Sequence, residues 1–254
     1  MSRQRDEVAG EASAELDLSR DRVMVLAKTG RQASWHRLTE DERRSAEQEH
    51  VDLMLSVAAR HRMRRLEGFR LIGQQGRWQR FWLIEFPTFA GAEEWIEAEM
   101  APPYGRDGFY EYHLTRPLAP GHFDAWLPGP PRVIAPQEAD PAAVPALGAD
   151  RSSVVVLQFS RSDGADGRAD AEQTAGLQRV AREHGMLRLE CFQLIDPIPA
   201  WHRVWICEFP DLAGAEAWIE AEAEPARAAR AERISFLSRR WSPEYFASWC
   251  RADG

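Results

Sequence analysis

Residues 57–126 align with residues 180–249 at a constant offset of 123 and without a gap, about two in five of the paired residues being identical. The centre of the match is RFWLIEFPTFAGAEEWIEAE against RVWICEFPDLAGAEAWIEAE. A period of this length is too long for a solenoid unit and suits a small domain. The chain of 254 residues therefore reads as two copies of one domain, each large enough to bury a core. Two such copies can form within one chain what single copies form as a dimer.

Each copy has the same order of elements. A β-branched run opens it, RVMVLAK in the first copy and SVVVLQF in the second. A helix follows; in the first copy Thr39 and Glu42 stand at capping-box spacing before an apolar pattern of helical period. MRRLEGFRLI and WQRFWLIEF, with MLRLECFQLI and WHRVWICEF, read as paired strands. The next helix begins at the N-caps Thr88 and Asp211, just after a proline. A last strand lies within GFYEYHLTR or ERISFLSRR, and a proline-led turn closes each copy. This βαββαβ order is α+β and ferredoxin-like, with one open sheet face that the other copy is placed to cover. The expected divisions are a polar tail at 1–20, a first domain at 21–127, a Pro/Ala-rich linker at 128–151 and a second domain at 152–254.

The segments Glu85 to Trp95 and Glu208 to Trp218, each running from a third strand into E-F-P and an A-x-x-W helix, resemble the dimeric α+β barrel superfamily. The stretch VLAKTGRQASWHRLTEDERR is similar to the darcynin family, a likeness confined to the first copy. The resemblance implies two sheets packed face to face, with a ligand cavity inside the barrel or between sheet and helices. It also implies a choice among cofactor-free oxygenases, cyclases, lactone isomerases and haem enzymes, which fold alone does not make.

Net charge of −8 leaves no basic stripe for nucleic acid, and no apolar run reaches the length of a membrane span. The N-terminus carries no apolar stretch of a secretory signal, and Cys191, Cys207 and Cys250 are no disulfide framework. A cytoplasmic protein is expected.

Period-two alternation places Trp78, Arg80 and Trp82 on one strand face, as it does Trp201, Arg203 and Trp205. Indole walls with an arginine fork suit a flat aromatic anion, so these six residues, with Arg65 and Arg188, are the candidate substrate-binding set. A hairpin centred near Gln75 sets Arg65 across from Glu85 and Arg188 across from Glu208, as cross-strand ion pairs. Glu67 and Glu190 are candidate general bases if burial raises their pKa, and His113, beside Tyr110 and Tyr112, is a candidate for proton transfer. The competing reading makes the same tryptophans packing and the same arginines a domain seam. No zinc-ligand or nucleotide-loop spacing occurs. The expectation is a small-molecule-binding protein without a cofactor, of the oxygenase, cyclase or isomerase type found in bacterial specialised metabolism. The alternatives are a haem enzyme, with His61 or His184 as axial ligand, and a non-catalytic binding module.

Overall fold

The computed structural model describes residues 18–131, 153–162, 171–195, 201–224 and 231–241. Eight antiparallel strands close into one barrel: β1 (Val23–Arg31), β2 (Arg65–Gln75), β3 (Trp78–Phe86), β4 (Gly108–Pro117), β5 (Val154–Ser162), β6 (Arg188–Leu194), β7 (Arg203–Phe209) and β8 (Ala231–Arg240). Around the barrel the strands run β1-β3-β2-β8-β5-β7-β6-β4. Helices α1 (Ala33–Arg37), α2 (Glu40–Arg60) and α3 (Phe89–Glu99) belong to the first half, α4 (Ala171–Glu183) and α5 (Leu212–Ala223) to the second. The fold is thus mixed α+β, with sheet inside and helices outside. No described helix is long and apolar enough to cross a membrane.

Local chemistry places the helix starts. Thr39 caps α2 with a full capping box: its hydroxyl accepts from the Glu42 amide, and the Glu42 carboxylate accepts from the Thr39 amide. Thr88 and Asp211 each accept from a glycine amide three residues on. That glycine is needed for space. A Cβ at Gly91 would stand 2.8 Å from His61 Cβ and 2.8 Å from the Phe86 ring, where α3 crosses the end of α2.

Strand alternation sorts the side chains into two layers. Met24, Leu26, Phe69, Phe81, Leu83, Val155, Leu157, Phe159, Phe192, Val204 and Ile206 fill the barrel interior. Val25, Ile84, Phe86 and Trp95 pack between sheet and helices in the first half, and Val156, Cys207, Phe209 and Trp218 do so in the second. The expected void inside the barrel is therefore replaced by a packed apolar core. Residues 18–20 differ from the expected tail, since Leu18 bridges to Leu118 and the Ser19 amide bonds the Pro117 carbonyl. Residues 1–17, and residues 132–151 of the expected linker, lie outside the described residues.

The halves join at two short seams, β2 with β8 and β4 with β6, each three residue pairs long. Behind the seams, inside one end of the barrel, lies a buried ion network. Arg65 donates to Glu190 at 2.8 and 3.0 Å, and Arg188 donates to Glu67 at 2.8 and 3.2 Å. Arg65 also bonds Glu67, and Arg188 bonds Glu190, within their own strands. The predicted register is present, with Arg65 opposite Glu85 and Arg188 opposite Glu208. The predicted pairs are not. Glu85 is taken by Arg22 at 2.7–2.9 Å, and Glu208 by Arg240 and the Ser153 hydroxyl. All these groups point into the barrel, where the carboxylate of the opposite half lies within reach of each β2 and β6 arginine.

Burial pushes the Glu67 and Glu190 carboxyls up, but the guanidiniums of Arg188 and Arg65 outweigh it and hold both below the ordinary range. The stabilisation is present above the unfolded carboxylate value and is lost as pH falls through the folded ones. Glu67→Gln should therefore lower the unfolding free energy at pH 7 by about 3–5 kcal/mol, leaving two guanidiniums under-compensated. Urea melts of parent and variant should converge as the pH is lowered from about 5. A parallel offset at every pH would contradict a charge-based seam.

Candidate functional site

The two halves diverge most between the sheet and the outer helices. In the second half Arg233 of β8 and Glu222 of α5 form an ion pair across this space, at 2.5 Å. At the offset of 123 the first half has Tyr110 and Glu99 instead. Tyr110 and Tyr112, both on the outer face of β4, stack at 5.9 Å, and neither buried hydroxyl has a hydrogen-bond partner. Gly108 makes room for this, since a Cβ there would fall 2.3 Å from the Tyr110 hydroxyl oxygen. Burial foremost, with the Glu99 carboxylate second, raises both phenol pKa values.

Facing the tyrosines is His50, on the buried face of α2. Its ring stacks on Tyr104 at 3.8 Å and its Nε2 lies 3.6 Å from Glu99 Oε2. Arg31, at the end of β1, sets its guanidinium carbon 3.9 Å from the ring centres of both Trp35 and Tyr104. Trp82, Trp95 and Arg80 complete the walls. Together these residues enclose a slot of about 20 Å³, the volume of one water site. Chemically the slot offers an imidazole–carboxylate pair, the unpartnered Tyr110 phenol, guanidiniums and aromatic walls.

The residues singled out from the sequence fall in several places. Arg80 and Trp82 line the slot, with Trp82 Nε1 donating to the Thr29 hydroxyl and Arg80 lying over the Trp241 ring. Trp78 does not share their surroundings. The register of β2 with β3 shifts between Arg70 and Gln75, and Trp78 packs instead on the barrel core with Lys28 over its ring. Trp201 packs beside the same core, against Phe159. Trp205 donates to the Ser160 hydroxyl and is met edge-on by Phe123 at 5.2 Å, while Arg203 donates to Gln193. Glu67, Glu190, Arg65 and Arg188 form the seam network. Its guanidiniums depress the two carboxyls, the reverse of what a general base near neutrality needs.

His113 lies inside the barrel at the end opposite the seam network. Its Nε2 is 2.8 Å from Glu111, which also bonds Lys28, and its ring stands 5.1 Å from Phe159. Burial raises the Glu111 carboxyl, but the bonds from His113 and Lys28 bring it down to about 2. His61 closes the end of α2, with Nε2 2.5 Å from Glu94, and His184 occupies the turn after α4. Neither lines the slot. Cys191 and Cys207 are buried, and burial pushes both thiols up. Cys250 lies outside the described residues.

His50, Glu99, Tyr104, Lys28 and Glu111 escaped the sequence reading. Two of them had a legible signal. His50 is in phase with the buried Ala46, Met54 and Val57 of α2, and Lys28 with the inward Met24 and Leu26 of β1. A polar residue in phase with a core stripe marks a buried polar group.

No family model matches the chain, and no curated protein matches it. Solved structures do. An arginine-to-lysine variant of chlorite dismutase from Candidatus Nitrospira defluvii is 11% identical, with a TM-score of 0.64 over 91% of this chain and 96% of that one. The imidazole complex of the same enzyme gives 0.62 at 12% identity over the same shares. A further chlorite dismutase-like structure gives 0.57 at 12% identity, over 90% of this chain and 98% of that one. At such identity the likeness shows the fold, a chlorite dismutase-like α+β barrel. The darcynin likeness has no counterpart among these structures.

Because the Tyr110 and Tyr112 hydroxyls are buried without partners, Tyr110→Phe and Tyr112→Phe should each leave the unliganded protein as stable or raise its stability by about 1 kcal/mol, measured by urea unfolding. A loss of more than about 1 kcal/mol would show a bonded hydroxyl. Native-state alkylation mapped by mass spectrometry should leave Cys191 and Cys207 unmodified until denaturant is added.

Proposed function

We propose that the chain is a small-molecule-binding protein, built as a tandem of two ferredoxin-like units, whose ligand site is the slot between the first-half sheet and helices α2 and α3. The observation that carries the reading is the exchange of the second half's Arg233–Glu222 ion pair for Tyr110, Glu99 and a facing His50. An ion pair closes the space; the orphaned Tyr110 phenol beside an imidazole–carboxylate pair supplies a donor for a guest. The aromatic walls select a flat ring, and Arg31 and Arg80 favour a phenolate or carboxylate substituent on it. His50, oriented by Glu99, is the group placed to exchange a proton with that substituent. At about 20 Å³ the slot is closed, so binding requires the α2–Tyr104 side to move away from the sheet. Entry is thereby coupled to breaking the His50–Tyr104 stack.

The fold likeness to chlorite dismutases favours a second reading, a haem enzyme, over the cofactor-free oxygenase, cyclase or isomerase. Tandem barrels of the resembled superfamily include haem enzymes. Among the described residues, the side chains around the slot do not fit the group. His61 is held by Glu94, neither His61 nor His184 borders the slot, and His50 borders a space far below the several hundred Å³ that a large flat ligand fills. No step is assigned through haem.

One pair of measurements separates the readings. A Soret band in the protein as isolated, or on titration with haemin, would replace the first reading by the second. Without such a band, 4-hydroxybenzoate should quench tryptophan fluorescence saturably, since Trp82 and Trp95 line the slot. Tyr110→Phe and His50→Ala should each weaken that binding by about tenfold or more. Equal quenching of parent and variants would reject the slot.

A further inference from the structure

The seam network is arranged with two-fold symmetry, and one member is missing. Where β2 meets β8, Arg240 stands opposite Phe69; where β4 meets β6, Pro117 stands opposite Phe192. Phe69 and Phe192, like Pro117 and Arg240, are separated by the offset of 123, so the two places are equivalent. Arg240 reaches inward, bonds Glu208 at 3.1–3.3 Å and lies 3.4 Å from Glu67. Glu67 thus faces three guanidiniums, and its side chain is 6% exposed. Proline supplies no such donor on the other seam. Glu190 faces two guanidiniums, and its side chain is 32% exposed. Its Oε2 accepts from both Arg65 and Arg188, whereas Oε1 accepts from Arg65 alone.

A cavity of about 610 Å³ lies beside this position. Glu190 and Pro117 border it, and Leu118, Phe123, Leu189 and Phe192 give it an apolar wall. Arg22 also borders it, but its guanidinium is already held by Glu85. Arg64 lines it as an exposed side chain in water. Arg65 and Arg188 line it too, but both are bonded to Glu190 and Glu67, and an anion placed there would also meet Glu85, Glu190 and Asp124. A planar cation would meet a carboxylate edge with a vacant lone pair.

We infer that this cavity binds a small molecule carrying a guanidinium or amidinium head on an apolar stem. The head occupies the place that Arg240 holds at the other seam and donates to Glu190 Oε1. The stem lies along Leu118, Phe123 and Phe192. This site is separate from the slot and does not depend on the function proposed for it.

Benzamidine titrated into the full chain by isothermal calorimetry tests the inference. Saturable one-to-one binding is expected, with no binding of benzoate at the same concentrations. Pro117→Arg supplies the missing guanidinium in cis; it should abolish benzamidine binding and raise the thermal midpoint. Pro117→Ala keeps the cavity open and should retain binding. Glu190→Gln should lower the affinity by about tenfold or more. If Pro117→Arg does not fold, the comparison of Glu190→Gln with Pro117→Ala decides. Preference for benzoate, undiminished binding to Pro117→Arg or Glu190→Gln, or no saturable binding at millimolar benzamidine would each overturn the inference.

Discussion

The exchange of arginines between the halves is the interaction on which the barrel depends. Each seam is only three residue pairs long, too short for backbone bonds alone to set the register of two sheets. Arg65 and Arg188 reach across to Glu190 and Glu67. Burying such charges costs several kcal/mol per ion, so the network is a poor source of net stability. Its effect is on specificity. A slip of one residue at either seam would point these side chains out of the barrel and leave the opposite charges buried without partners. The apolar core can tolerate small rearrangements of packing; the ion network cannot.

With the halves locked together, the barrel interior is closed to ligands. Phenyl and branched side chains fill its middle, the ion network fills one end, and Lys28, Glu111 and His113 fill the other beneath Trp78 and Trp201. Among the described residues, binding space is left outside the sheet and beside the seam where a side chain is missing. Both spaces trace to substitutions that break the likeness of the halves. Tyr110 in place of Arg233 leaves donors without acceptors between sheet and helices. Pro117 in place of Arg240 leaves room and a partly exposed carboxylate at one seam.

The seam also explains where four of the residues singled out from the sequence find their charge partners. Glu67 and Glu190 are carboxylates in a polar face near tryptophans, which from sequence resembles a base in a pocket. Besides the arginine two residues before it, each takes a partner from the far half of the chain, 121 or 125 residues away. No local pattern encodes such a partner. Arg80 and Trp82, by contrast, lie where outward alternation placed them, and that face happens to be the slot wall.

The amino-acid sequence alone determined the order of strands and helices, the caps at Thr39, Thr88 and Asp211, and the register that sets Arg65 opposite Glu85 in the β2–β3 hairpin. Those features rest on neighbours within a few residues or across one turn, where spacing and hydrogen-bond geometry leave little choice. Tertiary structure alone decided which carboxylate each arginine takes, that Trp78 packs on the barrel core, and that His50 meets Glu99 and Tyr104. Those outcomes depend on how the sheet closes and how far each helix stands from it, distances set by the packing of the whole core.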